Sequence, residues 1–239
     1  MFKHQGNTRT LTHNLRLAVV LSFVAGLVNI TGLLSLDILT TNVTGHFAFF
    51  VQKVSQLNFR GGLVFLTYVS SFLFGSFLSN LIMEFFRHNR KLNVYLVPIL
   101  LEALLLMLIV IIGLNSGVQS FVISNLLLLS MGLQNSFVTK ISNAVVRTTH
   151  LTGLFTDLGI ELAQLLFEKD KVKRKEIQST ISLRISIISF FFIGGLVATI
   201  LYINLNLGLV SLLLPSIILI LSLIYDDQKF ISKHTIIRF

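Results

Sequence analysis

Six stretches of this chain, near residues 16–36, 62–86, 94–113, 119–139, 181–203 and 206–225, are continuously apolar. A helix needs about 20 apolar residues to cross the ~30 Å hydrocarbon layer of a bilayer, and each stretch is close to that length. A membrane barrel would instead need many segments of about 10 residues that alternate apolar with polar, and these runs do not alternate. Composition agrees. Mean hydropathy is +0.84 and 12% of the residues are charged, so 239 residues lack the polar surface to cover the Leu, Ile, Val and Phe they carry. The expected fold class is an all-α integral membrane protein with about six transmembrane helices and the lipid bilayer as its first partner. The first run follows Lys3, Arg9 and Arg16 as a signal peptide would. It is too long for one and no small-residue cleavage site closes it, so it is assigned as the first helix.

Within this apolar chain one short polar phrase occurs twice. Thr40-Thr41-Asn42-Val43-Thr44-Gly45-His46-Phe47 is matched by Thr148-Thr149-His150-Leu151-Thr152-Gly153-Leu154-Phe155, with five of eight positions identical. The surroundings repeat as well: Gly26-Leu27-Val28-Asn29 matches Gly132-Leu133-Gln134-Asn135, and Phe72-Leu73-Phe74-Gly75 matches Phe191-Phe192-Ile193-Gly194. The only prolines, Pro98 and Pro215, also correspond. The spacing between matched positions widens along the repeat, and an insertion around the basic run Lys169 to Lys175 absorbs most of the drift. The expected organisation is a basic N-terminus (1–15), a first membrane repeat (16–113), an external connection (114–118), a second repeat (119–225) and a C-terminal tail (226–239).

Charge sets the orientation. Short basic loops stay on the cytoplasmic side; the N-terminus, Arg87 to Lys91 and Lys169 to Lys175 are basic, whereas Leu114 to Val118 and Asn204 to Asn206 carry no charge. Both termini are therefore expected inside. The net charge of +9 reflects juxtamembrane bases drawn to anionic headgroups. No soluble domain presents a nucleic-acid surface, so no nucleic-acid partner is expected. With three spans per half the second repeat must cross in the opposite sense, which makes the repeats inverted. That plan recurs in secondary transporters, whose solute sites lie near the midplane at broken helices.

The polar phrases are the candidates for those breaks. Each precedes a short amphipathic stretch, Val43 to Leu57 and Leu151 to Phe167, expected as a broken or re-entrant helix entered from outside in one half and from inside in the other. A threonine there can cap the helix, and glycine permits close approach. Two facing helix N-termini would favour an anion or carboxylate. The candidate solute-binding residues are Thr40, Thr41, Asn42, Thr44, Gly45, Thr148, Thr149, His150, Thr152 and Gly153, supported by Asn29, His46, Asn135 and Asp157. Against this, Thr and Gly are also what packed membrane helices use at their contacts. The duplication tilts the balance, because symmetric polar breaks are costly in hydrocarbon unless buried or lining a cavity.

Ionisable residues carry the same two readings. Glu102 is either a proton carrier or a group that snorkels or bonds a neighbouring helix; its repeat counterpart, Leu219, favours the second. Asp157 and Glu161 share a helix face, with Glu161 read as solvated. His46 and His150 make a weak ligand set for a metal, and a hydrogen-bonding role suits them better. There is no cysteine, so disulfides and thiolate metal sites are excluded. Ser71, Gly75 and Ser79, with Gly194 and Ala198, are read as packing. No metal or cofactor is expected, and no nucleophile elbow, zinc-protease motif or phosphate loop marks an enzyme.

The phrase after the first helix, together with Met131-Gly132-Leu133-Gln134-Asn135 and Arg147-Thr148-Thr149-His150-Leu151-Thr152-Gly153, resembles the YoaK-type family of bacterial membrane proteins of unknown function. The resemblance covers roughly 15–225 and implies a bacterial cytoplasmic membrane protein without an established substrate. It implies an acid where this chain has Asn29, and Asn where it has His46. The function expected is a small secondary transporter or permease for a small solute, with an anion among the candidates. The alternatives are a non-transporting scaffold or accessory subunit and, with less support, a channel.

Overall fold

The computed structural model describes residues 9–87, 94–114 and 119–236, with side chains described as far as Asp226. Among these residues the chain is all-helical, with eight α-helices. They are α1 (Leu11–Leu36), α2 (Val43–Ser55), α3 (Phe59–Phe86), α4 (Leu96–Gly113), α5 (Ser120–Ile141), α6 (Leu151–Phe167), α7 (Lys171–Thr199) and α8 (Leu213–Ile236). A π turn, Ile200–Asn204, continues α7, and a 3-10 turn, Gly208–Leu212, leads into α8. Six segments are long and apolar enough to cross a membrane: α1, α3, α4, α5, α7 with its π turn, and the 3-10 turn with α8. The chain is thus a multi-pass membrane protein. The helices α2 and α6, of 13 and 17 residues, are the short pair.

Two boundaries differ from expectation. The basic run does not form a loop, because Asp170 accepts from Val172 N at 2.8 Å and starts α7 at Lys171. Helix α8 runs to Ile236, through much of the expected tail. His88 to Lys91 and Asn115 to Val118 lie outside the described residues. Pro98 and Pro215 each fall in the first turn, of α4 and α8, where a missing N–H costs no intrahelical bond.

The long helices pair across the two halves of the chain. Helix α1 packs on α7 and α3 on α5, while α4 packs on α5 and α8; α2 lies on α3 and α6 on α7. In hydrocarbon, apolar surface gains nothing by leaving lipid, so association depends on close packing. Glycines supply it. A Cβ on Gly26 would collide with the Phe191 carbonyl oxygen, and one on Gly194 with that of Phe23. The α3–α5 crossing has the same construction, with Gly132 against Phe72 and Gly75 against Leu129. Leu17, Leu21, Ile99, Leu106, Leu127 and Phe137 fill the interior, while Leu73, Phe74, Phe77 and Phe192 point outward, as lipid-facing side chains do.

Candidate functional site

The chain leaves α1 through Asp37, whose left-handed conformation (φ 55°) reverses its direction. The returning segment comes back beside α1. Thr41 donates to Asn29 Oδ1 from both its N–H (3.1 Å) and its hydroxyl (3.0 Å), and the Thr40 hydroxyl donates at 3.4 Å. Asn29 lies two turns before the end of α1, so the phrase has folded back about 10 Å at 1.5 Å per residue. The second phrase repeats the manoeuvre. Beyond α5, Asn143 and Ala144 take left-handed conformations (φ 53° and 63°), Ser142 Oγ accepts from Val146 N, and the Thr149 hydroxyl donates to Asn135 Oδ1 at 2.9 Å. Gln134 Nε2 reaches across to α1 and donates to the Leu21 carbonyl at 2.7 Å.

Each phrase then starts a short helix, but no threonine caps either one. Asn42 Oδ1 accepts from Gly45 N at 3.0 Å to cap α2. Helix α6 begins after His150 with no side-chain cap, so its first-turn N–H groups are left to solvent or a ligand.

Both helices start at one cavity of about 610 Å³. Thr41, Asn42 and Thr44 line it from one phrase; Thr149, His150, Thr152 and Gly153 line it from the other. Asn29 stands behind, and the matched residues Phe72 and Phe191 form walls. The hydroxyls divide into two kinds. Those of Thr41 and Thr149 are spent on Asn29 and Asn135, whereas those of Thr44 and Thr152 have no hydrogen-bond partner among the described residues.

The residues 17–225 match a family model described as protein of unknown function (DUF1275). The chain belongs to that family. This agrees with the YoaK-type resemblance of its sequence. No curated protein and no solved structure matches the chain.

In this DUF1275 member the remaining candidate residues lie behind or beside the cavity. Thr40 and Thr148 are fully buried, and Gly45 packs against the Asn42 side chain. His46 is buried beneath α2, with Nε2 2.9 Å from the Leu39 carbonyl oxygen and its ring 5.4 Å, edge-on, from Tyr68. It therefore fixes the loop that lines the cavity and does not line it itself. Asn135 acts through Thr149.

Asp157 belongs to a second pocket of about 460 Å³, which shares His150 and Gly153 with the first and also holds Arg147 and Arg184. The reading of Glu161 as a solvated group is corrected. Its side chain is only 13% exposed, and Arg184 of α7 binds it at 2.8 Å and Asp157 at 3.0 Å. Arg184 was not singled out from the sequence. The signal was present, since an arginine inside an apolar run calls for a carboxylate partner and the Asp157–Glu161 face is on the preceding helix. Glu102 neither snorkels nor bonds a neighbour: it is fully buried, and neither carboxyl oxygen has a partner among the described residues.

Proposed function

We propose that this protein is a small secondary transporter that carries a small polar solute through the cavity shared by the two phrases. The observation that carries the reading is that cavity, because the same polar phrase, written twice in the chain, contributes to both of its sides. Polar breaks in a membrane protein are tolerated where they are buried or line a cavity. In this reading the halves 16–113 and 119–225 are inverted repeats. The matched glycine contacts of α1 with α7 and of α5 with α3 support that arrangement. So does the folding back of both phrases beside Asn29 and Asn135, as re-entrant segments would.

Solute is held by the free hydroxyls of Thr44 and Thr152, by Asn42 and His150, and by the open N–H groups at the start of α6. Two helix N-termini at one cavity favour a carboxylate or another small anion. No covalent step is involved, so the protein is a carrier and not an enzyme. Its place is the bacterial cytoplasmic membrane, with both termini inside, supported by the excess of basic residues at the N-terminus, at Arg87 to Lys91 and at Lys169 to Lys175 over the connections on the other side. Transport follows from rocking one half against the other about the cavity.

Because the chain has no cysteine, single cysteines report cleanly. Thr44→Cys and Thr152→Cys are each expected to react with a small water-soluble thiol reagent. Failure of both, in folded protein and from either side of the membrane, would mean dry packing and would favour an accessory subunit.

A further inference from the structure

Glu102 stands in the second turn of α4, fully buried among Ile99, Ala103 and Leu106 of its own helix. Both of its oxygens lack a hydrogen-bond partner among the described residues. The helices packed on α4 offer no cation at its level. Helix α5 carries only Lys140, whose amine is 2.9 Å from Glu84 of α3. The other ionisable groups of α3 are Arg60, at its start, and Tyr68, which packs near Phe121 at the start of α5. The 3-10 turn has none.

On α8 the Ser216 hydroxyl donates to the Ala103 carbonyl at 2.8 Å, which fixes the level of the contact, and no titratable residue precedes Tyr225. Tyr225 is therefore about 13 Å further along the axis. Tyr95, ahead of α4, lies two turns from Glu102 and interacts with Arg9. In α1, which joins the same buried cluster, Arg16 is exposed and so stands outside the core that holds Glu102, and His13, in the first turn, bonds Thr10.

An ionised carboxylate isolated in such surroundings would cost more than a fold's whole net stability, so a buried acid of this kind neutralises instead. Packing does not demand an acid here. The matched position of the second half holds Leu219, likewise fully buried, and leucine fills it.

We propose that Glu102 is a proton-binding site, distinct from the solute cavity, whose carboxyl holds H+ while α4 and α8 are packed and exchanges it with water when that contact opens. Atoms balance simply, since the carboxyl releases its O–H proton to water and becomes a carboxylate. If the transport reading holds, this is the group through which solute movement would draw on a proton gradient. The proton site itself needs no solute to be tested.

The experiment is infrared spectroscopy of the full chain in lipid vesicles at neutral pH, comparing wild type with Glu102→Gln and Glu102→Leu. The expected result is the carbonyl stretching band of a neutral carboxylic acid in wild type, lost in both variants, with both variants folded. A hydrophobic carbodiimide should label Glu102 of wild type, and a water-soluble one should not. Identical infrared spectra for wild type and variants, or equal labelling by the two reagents, would overturn the site. Because no solute enters, such a failure is separate from failure of the transport reading.

Discussion

In the first half of the chain α2 lies on α3 through aromatic rings: His46 packs against Phe65 and Tyr68, and Phe49 against Phe65 with ring centres 5.2 Å apart. At the positions the repeat matches, the second half has Leu154 for His46, Asp157 for Phe49 and Arg184 for Phe65. There α6 lies on α7 through an ionic clasp, Arg184 bridging Asp157 and Glu161. Two helices that follow the same phrase are held by opposite chemistry. Aromatic contacts survive salt and need no water, whereas an ion pair with one carboxylate 48% exposed is open to competition from water and counterions. The contrast predicts that α2 is the fixed member of the pair and α6 the one that lifts.

The two halves share one frame only if their glycine crossings are equivalent, and the largest effects are expected at those crossings. Gly26→Leu and Gly132→Leu each drive a side chain into a facing carbonyl, so each should cost about 3 kcal/mol or more. Equal severity, read as loss of melting temperature in detergent, supports equivalent crossings; tolerance of either would break the equivalence. Next comes Arg184→Leu, which leaves two carboxylates facing each other and should cost about 2 kcal/mol at this partly exposed site. Amide exchange should rise throughout α6 and stay unchanged in α2. Arg184→Lys should recover only part of the loss, since an ammonium lacks the planar fork that reaches both acids. His46→Leu, which installs the second half's residue in the first, should cost about 1 kcal/mol by removing the hydrogen bond to Leu39. Its exchange signature should be confined to α2 and the preceding loop. Smallest is salt itself: raising ionic strength from about 0.1 to 1 M should speed exchange in α6 slightly and leave α2 alone.

The parts of this fold legible in the sequence are those imposed by the bilayer or written twice. Six spans follow from the length of apolar chain that hydrocarbon demands. The short helices α2 and α6 were legible because a polar phrase recurred ahead of an amphipathic run. What escaped depends on register between distant segments. Gly26 and Gly132 stand out in the sequence, but nothing in their spacing says that they meet Phe191 and Phe72. Arg184 and Glu161 are separated by a helix boundary, and only the angle of α6 on α7 brings them together. The basic run misled because charge suggested a loop, while Asp170, a good cap, was the better local signal. The division of the threonines into structural and free hydroxyls was likewise invisible, since Thr41 and Thr44 sit in one copy of the phrase just as Thr149 and Thr152 sit in the other.

The most direct test of the shared cavity is solute-dependent thermal stabilisation of the purified protein against a library of small anions, amino acids and metabolites, repeated for Thr44→Val and Thr152→Val. A ligand stabilises the state that binds it, and neither hydroxyl has a structural partner to lose. The account predicts a solute whose shift is reduced in both variants while their melting temperatures without solute stay unchanged. A stabilising solute that ignores both substitutions, or responds to only one phrase, would contradict it.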